Sequence, residues 1–295
     1  MGVDRFQHVS HWDHAFGLQE QEDLLDRLES GRVLLFEGLR FAMTRAEQVL
    51  LAPSVSDGRS KNVAVDPATG KVSGSALEGT DLDLLRHMVL RFSAQSRGFL
   101  ERLLPSYAKR LDTRLASYRP VAVVGRETSR RKDDARLHVD AFASRPNQGR
   151  RILRVFCNVN PEGRPREWLL GESFERYAQH FSPRVRKQLP FEASALQALG
   201  ITKSLRTAYD HLMLGLHDRG KLDEGYQRDA WRERFDFPAG STWVCFTDQV
   251  LHAALGGQYM LEQTFMLPVA AMLHPERSPL RVLERLSGHR LVATT

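Results

Sequence analysis

The segment LHVDAFA (137–143) decides the fold and the chemistry that this sequence predicts. It is short and apolar, and arginine, proline and glycine follow it, which is typical of a strand. Side chains two apart on a strand leave the same face, so His138 and Asp140 are expected side by side. Far downstream, the turn PAGS (238–241) and an apolar predicted strand precede a second histidine, His252.

These two imidazoles and one carboxylate match the facial triad of mononuclear iron(II) oxygenases. Three donors on one face of the ion leave room for a bidentate 2-oxoacid and for dioxygen, which a closed structural site does not. The motif His-x-Asp alone is weak evidence in a chain with 11 histidines. Its apolar strand, and the turn and strand before His252, favour metal ligands over a structural role.

The next predicted strand, RILRVFCNVN (151–160), places Arg154 and Asn158 on one face among apolar side chains. A buried arginine is costly unless it is paired. The far carboxylate of a 2-oxoacid would pair with Arg154 through two parallel hydrogen bonds, and an internal salt bridge explains it equally well. Arg151, on the other face, is the alternative. Asn158 and Gln263 are expected either to bind co-substrate or sugar, or to be satisfied core amides.

Around this region the sequence predicts helices first and strands afterwards. Apolar residues at helical spacing predict helices within QEQEDLLDRLESG (19–31) and over 81–104, and a hairpin is predicted at KNVAVDPATGKVSG (61–74). A helical region at about 171–218 interrupts the strands, and LRVLERL forms a last helix. The further predicted strands are VAVVG (121–125), STWVCFTDQ (241–249) and QYMLEQTFMLP (258–268).

This order of elements predicts one α+β domain over residues 1–295, built on a β-sandwich or jelly roll. Residues 1–120 form a mainly helical part with the first strands. Residues 121–268 form the jelly-roll core with its helical insertion, and residues 269–295 form a tail.

Composition and charge limit the class of protein. With 295 residues, 42% hydrophobic and 26% charged, the chain is long and apolar enough for a core. Its two cysteines exclude a disulfide scaffold and a four-cysteine zinc site. The net charge of +6 predicts an anionic partner. No apolar run approaches the roughly 18 residues of a membrane span, and no secretory signal pattern is seen, so we expect a cytoplasmic protein.

Three blocks of sequence resemble the Kdo hydroxylases, iron(II)/2-oxoglutarate-dependent oxygenases of Gram-negative bacteria. They are KNVAVDPATGKVSG (61–74), LHVDAFASRPNQGRRILRVFCNVNPEGRPREWLLGESFE (137–175) and FTDQVLHAALGGQYMLEQTFMLP (246–268), within a similarity that spans about 30–270. One departure is Ala143, where the family pattern has proline; this puts only the local strand exit in doubt. The resemblance implies a double-stranded β-helix (jelly-roll, cupin-like) core with flanking helices, and the iron ligands His138, Asp140 and His252.

The resemblance also implies the reaction. Carbon 3 of Kdo in the lipopolysaccharide inner core (Kdo-lipid A) is hydroxylated to give Ko, with Fe(II), 2-oxoglutarate and O2, and with ascorbate in vitro. The expected partner is a Kdo-containing lipid A precursor. The alternatives are an oxygenase of the same fold that acts on a protein or another small molecule, and a non-catalytic basic module that binds anionic glycolipid or nucleic acid.

A basic run just before the proposed iron strand fits an anionic glycolipid. TSRRKDDAR (128–136) is expected near the mouth of the site, where its cations would capture carboxylate and phosphate, or else form a solvated face. The charge also fits transient, peripheral docking to the anionic cytoplasmic leaflet of the inner membrane, and no nucleic acid is expected. The candidate substrate-binding residues are Arg130, Arg131, Lys132 and Arg136.

Overall fold

The computed structural model of the protein describes residues 2–123 and 129–293. Within these ranges the chain forms helices that flank a β-sheet core. The helices are α1 (Leu18–Glu29), α2 (Gly79–Leu103), α3 (Phe174–Phe181), α4 (Glu192–Ala198), α5 (Ala208–Leu222), α6 (Glu224–Asp229) and α7 (Pro279–Ser287).

The strands of the described residues form two sheets. They are β1 (Val3–Phe6), β2 (Val33–Phe36), β3 (Val63–Val65), β4 (Val72–Ser73), β5 (Asp112–Arg119), β6 (Arg151–Asn158), β7 (Arg166–Gly171), β8 (Arg232–Phe237), β9 (Thr242–Phe246), β10 (His252–Gly256) and β11 (Met260–Leu267). The large sheet has the order β1-β2-β9-β6-β11-β5-β3-β4, and the small sheet has the order β10-β7-β8. Only β1 and β2 pair in parallel; the other described pairs are antiparallel.

Helices α1 and α2 cover the outer face of the large sheet. In α2 the buried side chains recur every three or four residues, so one continuous stripe faces the sheet. This helix ends at Leu103, two residues before Pro105, which cannot continue it. The stripe includes Leu85, Met88, Val89, Phe92, Phe99, Leu100 and Leu103.

A second apolar core lies between the two sheets and is built around aromatic rings. Trp243 of β9 stacks on Phe156 of β6 at 5.3 Å and on Phe237 of β8 at 4.2 Å. Trp168 of β7 meets Trp243 edge to face at 5.7 Å. Because these residues come from both sheets, this core fixes the distance between them.

The structure confirms most predicted helices and strands and shifts others. The hairpin of β3 and β4, strands β6, β9 and β11, and helices α1, α2 and α7 lie where they were predicted. The helices between β7 and β8 extend from Phe174 to Asp229, beyond the predicted end at 218. Residues 1–120, predicted to be mainly helical with the first strands, supply β1 to β5, all in the large sheet.

Two predicted strands are not formed by the residues that the structure describes. Residues 121–123 of VAVVG are not a strand, and residues 124 and 125 lie outside the described residues; the nearest strand is β5, which ends at Arg119. The segment 137–143 is not a continuous strand either, because its pairing is limited to one bridge between His138 and His252. Among the described residues, none of the helices has both the length and the apolar character that crossing a bilayer demands.

Candidate metal centre

Backbone hydrogen bonds bring the two halves of the predicted triad together. The His138 amide donates to the His252 carbonyl, and the His252 amide donates to the His138 carbonyl, each at 2.9 Å. The Asp140 amide donates to the Thr247 carbonyl at 2.8 Å. As a result, the ligand atoms of His138, Asp140 and His252 all lie within 4.8 Å of one another.

Both histidine rings present the same nitrogen to the centre. His138 Nδ1 lies 2.7 Å from the Arg136 carbonyl, and His252 Nδ1 lies 2.8 Å from the Val250 carbonyl. Because a carbonyl only accepts, each Nδ1 carries the proton, and each Nε2 keeps its lone pair for a metal. Trp168 stacks on the His252 ring at 4.9 Å and restricts its rotation.

The charge states suit metal binding. Burial, together with the neighbouring His252, lowers the pKa of His138 well below its usual value. Burial likewise lowers the pKa of His252. Burial opposes ionisation of Asp140, but Arg154 and the two histidines still hold its pKa well below the usual range. The site therefore offers two neutral imidazoles and a carboxylate, a donor set that fits iron(II).

The triad opens into a cavity of about 1010 Å³ between the sheets. A row of alternating charges follows one wall. Arg119 bridges Asp134 at 3.5 Å and Glu262 at 2.7 Å. Arg154 bridges Glu262 at 2.6 Å and Asp140 at 3.1 Å. This row joins the Asp140 carboxylate to two buried arginines that line the cavity.

The two arginines of strand β6 have different surroundings. Arg154 lines the cavity, and its Nε is buried without a hydrogen-bond partner. Arg151 is fully buried on the opposite face, where it bonds Asp248 at 2.8 Å and stacks over Phe246 at 3.8 Å. Of the two candidates for a co-substrate carboxylate, the structure therefore brings only Arg154 to the metal centre.

The two predicted amides lie away from the cavity. Asn158 donates to the Arg164 carbonyl at 3.0 Å and to the Phe237 carbonyl at 3.3 Å, so it closes a turn. Gln263 faces the other side of β11 and donates to the Arg114 carbonyl at 2.8 Å. In both side chains the amide NH2 group has hydrogen-bond acceptors within the core, and neither side chain reaches the metal centre.

The four cations of the predicted basic run have different surroundings. Arg130 and Arg136 each pair with Glu224 at 3.0 Å. Arg131 lines the cavity and lies 3.6 Å from Asp218, and Lys132 is exposed. One residue of the four, Arg131, therefore reaches the cavity; Thr128, the first residue of the run, lies outside the described residues.

Several cationic residues of the cavity were not predicted from the sequence. They come from separate segments, so neither spacing nor composition marks them as neighbours. Lys221, at the end of α5, is buried beside Asp134, and burial lowers its pKa. The other unpredicted cations that line the cavity are Lys61, Arg114, Arg119, Arg145, Arg150, Arg166 and Lys203.

Comparison with known proteins identifies a family for this chain. The sequence model of one family, described as 3-deoxy-D-manno-oct-2-ulosonic acid (Kdo) hydroxylase, matches residues 11–290. A comparison with proteins of curated function gave no match.

Solved structures of a Kdo hydroxylase, KdoO, a non-haem Fe(II) α-ketoglutarate-dependent dioxygenase, are similar along the whole chain. The cobalt(II) complex is 45% identical, with a TM-score of 0.96, over 99% of this chain and 98% of that chain. The complex with α-ketoglutarate and Fe(III) is 44% identical, with a TM-score of 0.95 and the same coverage. The same values hold for the complex with succinate and Fe(III). On this evidence, the chain with the His138, Asp140 and His252 centre belongs to the Kdo hydroxylase family.

Proposed function

We propose that this protein hydroxylates carbon 3 of Kdo on a lipid A precursor of the lipopolysaccharide inner core, with Fe(II), 2-oxoglutarate and O2. One oxygen atom enters the carbon–hydrogen bond of the sugar. The other is incorporated into succinate as 2-oxoglutarate loses carbon dioxide. The observation that carries the proposal is the triad of His138, Asp140 and His252, which opens into a cavity rich in cations in a chain of this family.

The fold that we propose for this chemistry is a double-stranded β-helix. Its two walls are the central strands of the large sheet and the small sheet, with the bridge between His138 and His252 extending the small sheet at its edge. This arrangement supports the proposal because His252 lies on the small sheet, with His138 bridged to it, and Arg154 lies on the large sheet.

Each residue of the centre has a role in the proposed reaction. His138, Asp140 and His252 hold iron(II), which supplies oxygen activation when bound. Arg154, which lines the cavity beside Asp140 and has a buried Nε without a partner, binds the far carboxylate of 2-oxoglutarate. Trp168 and the apolar core behind it keep water from the inner side of the centre.

The rim of the cavity suits an anionic sugar. Arg131, Arg145 and Lys203 are exposed yet line the cavity, so they lie at its rim. Within the described residues, Arg145 and Lys203 have no carboxylate partner in an ion pair. We assign these cations to the Kdo carboxylate and the phosphates of lipid A. The lipid-linked substrate also implies peripheral contact with the cytoplasmic leaflet.

Product analysis tests the proposal. Purified protein with Fe(II), ascorbate and 2-oxoglutarate should add one oxygen atom to Kdo-lipid A and release succinate. The His138→Ala variant should bind iron weakly and form no product, because one of three protein ligands is lost. The matched control is His87→Ala, on the exposed side of α2, which should keep wild-type turnover. Kdo-lipid A of unchanged mass with the wild-type enzyme would refute the assignment.

A further inference from the structure

An exposed apolar and basic region lies beside the cavity, formed by residues 184–206 and here called the α4 segment. It contains helix α4, none of whose residues is buried. Five of the eleven large hydrophobic side chains that the described residues expose fall in this one stretch, although it is a small part of the chain. Those five are Leu189, Phe191, Leu199, Ile201 and Leu205. A concentration of this kind marks an interaction surface, since scattered single exposures are the normal case.

The segment holds its apolar side chains outward at a conformational cost. Phe191, just before α4, has a φ of 61°, in the left-handed region that bulky residues rarely adopt. Its ring is 87% exposed, and Leu199 at the other end of α4 is 75% exposed. Backbone hydrogen bonds from Glu192 to Leu189 and from Ala195 to Phe191 fix this geometry. Strain that leaves an aromatic ring in water points to a ligand for that ring.

The net positive charge of the α4 segment indicates that its ligand is anionic. It contains five basic residues and one acidic residue, against 42 basic and 36 acidic in the whole chain. Glu192 is neutralised by Arg186 at 2.5 Å. Among the described residues, Lys187 and Lys203 have no carboxylate partner, and Arg206 bonds the Ala143 carbonyl at 2.7 Å. Arg184 pairs with Asp223 at 3.1 Å, so three of the five cations lack a carboxylate partner within the described ranges. Exposed apolar groups beside such cations complement an anionic lipid surface.

The α4 segment also borders the cavity. Lys203 and Ser204 line it, and the Lys203 amide donates to the Ser144 carbonyl at 2.8 Å. Ser144 and Arg145 follow the metal-binding segment directly and line the cavity as well. The surface that faces a lipid layer is therefore continuous with the rim through which a lipid-linked sugar enters.

We propose that the α4 segment docks on the anionic leaflet, with Phe191 and Leu199 inserted among the lipid chains and Lys187 at the headgroups. This deepens the proposed function and rests on it for the identity of the substrate. The docking would present the cavity to the sugar while the acyl chains remain in the bilayer. Insertion of apolar side chains supplies affinity, and anionic headgroups add attraction.

Vesicle sedimentation tests the docking without any catalysis. The full chain is mixed with vesicles of phosphatidylethanolamine and phosphatidylglycerol in equal parts, or of phosphatidylcholine alone, without iron, 2-oxoglutarate or lipid A. We expect preference for the anionic vesicles. The double variant Phe191→Ser/Leu199→Ser should bind them about tenfold less, a change of about 1.4 kcal/mol. Lys187→Glu should lower binding to the anionic vesicles only.

A matched control uses exposed apolar residues elsewhere. Leu18→Ser/Leu273→Ser removes two leucines of comparable exposure outside the α4 segment and should leave vesicle binding unchanged. Equal binding by the wild type and by Phe191→Ser/Leu199→Ser would overturn the proposal. A concentration-dependent dimer that the same variant abolishes, without vesicle binding, would overturn it in favour of a second copy of the chain.

Turnover separates this proposal from the proposed function. Phe191→Ser/Leu199→Ser should hydroxylate detergent-dispersed Kdo-lipid A at the wild-type rate and vesicle-embedded Kdo-lipid A about tenfold more slowly. Equal rates on both substrates would count against docking by this surface. If the wild type modifies neither substrate, the proposed reaction fails, while the sedimentation result still decides whether the α4 segment binds lipid.

Discussion

Arg151 and Arg154 lie on the same strand but have different surroundings. Three positions apart on β6, they point to opposite faces. Arg151 is enclosed by Asp248, Gln249 and the Phe246 ring, so all of its charge is used within the protein. Arg154 pairs with Glu262 and Asp140 but lines the cavity, and its buried Nε has no partner among the described residues. Both arginines are buried, so burial does not show which of them can reach a co-substrate, whereas their position relative to the cavity does.

Substitution of Arg154 should weaken co-substrate binding. Hydrogen bonds to charged groups contribute about 1.5–3 kcal/mol, so Arg154→Met should raise KM for 2-oxoglutarate roughly tenfold to a hundredfold. Arg154→Lys should cost less, because it keeps the charge and loses the planar fork. Steady-state succinate formation measures KM for 2-oxoglutarate in both variants. Iron affinity is titrated separately, because Arg154 also contacts Asp140. Arg110→Met, an exposed arginine outside the cavity, is the control. An unchanged KM in Arg154→Met would remove this residue from the co-substrate site.

Glu262 should stabilise the charged wall of the cavity in a pH-dependent way. Burial opposes its ionisation, but Arg154 and Arg119 hold its pKa below the ordinary value of 4.5. Its stabilising effect is therefore complete above that pH and is lost as pH falls through the folded pKa. Glu262→Gln should lower the free energy of unfolding at neutral pH by about 2 kcal/mol.

Urea titration at neutral and acidic pH measures this effect. The difference between wild type and Glu262→Gln should shrink once the pH falls below the ordinary glutamate pKa of 4.5. Glu78→Gln, an exposed carboxylate just before α2, should show little change at either pH. A difference that stays constant with pH would show that Glu262 does not act through its charge.

Residue types and spacing were sufficient to predict that His138, Asp140 and His252 lie together, because ligand chemistry demands particular side chains. They left Arg154 and Arg151 as alternatives for the co-substrate carboxylate. They were not sufficient for Asn158 and Gln263, whose amides bond backbone carbonyls that only the folded chain brings near. The histidine-orienting carbonyls of Arg136 and Val250 leave no sequence signal either, because every residue has one.

At the scale of elements, helix α5 lies against the metal centre because a glycine lets α3 approach. A Cβ on Gly220 would lie 1.9 Å from the Tyr177 hydroxyl oxygen. That hydroxyl donates to the Leu216 carbonyl of α5 at 2.6 Å. The same helix carries His217, whose ring meets His138 edge to face at 5.4 Å. The close contact of two helices therefore sets the position of residues at the site.

Gly220→Ala should destabilise the protein through overpacking. We expect a loss of about 1–3 kcal/mol in the free energy of unfolding, measured by urea titration. The matched control is Gly98→Ala within α2, where the nearest atom is the flexible Arg102 guanidinium at 3.6 Å. That variant should gain about 0.5–1 kcal/mol from helix propensity. Equal effects in both variants would mean that propensity, rather than the Tyr177 contact, controls position 220.

Elements with a strong apolar period were predicted correctly, and strands with charged sequences were missed. Helix α2 has a buried stripe that the sequence displays directly. Strand β8, RERFDF, has largely exposed side chains at the edge of the small sheet, so its sequence resembles a loop. Strand β5, DTRLASYR, is rich in polar and charged residues, whereas the segment VAVVG that was predicted as a strand is a continuous apolar run. A short apolar run indicates burial, but it does not show whether the backbone is paired.

At the scale of the whole molecule, Glu29 joins the beginning of the chain to its end. This fully buried carboxylate at the end of α1 accepts hydrogen bonds from the amides of Leu273 and His274, at 2.8 and 2.6 Å, and from the Tyr107 hydroxyl. Gln249 donates to the Glu29 carbonyl at 3.2 Å and adds a further connection. The C-terminal residues predicted as a tail are thus attached to the helical layer.

Removal of this carboxylate should loosen the attachment. Glu29→Ala leaves three buried donors without an acceptor, and we expect a loss of about 3 kcal/mol in the free energy of unfolding. Glu22→Ala, exposed on the same helix, is the control and should change it by less than about 0.5 kcal/mol. Limited proteolysis should cut Glu29→Ala first near residues 269–278. A uniform cleavage pattern with unchanged stability would contradict a joining role.

The paired amides of His138 and His252 determine when during biogenesis the metal can be acquired. The two histidines come from distant parts of the sequence and are joined by a pair of backbone hydrogen bonds. A nascent chain therefore gains its binding site only after residues beyond β10 have been synthesised and both sheets have closed. Metal binding is then a late step, because it follows the synthesis of both ligand segments.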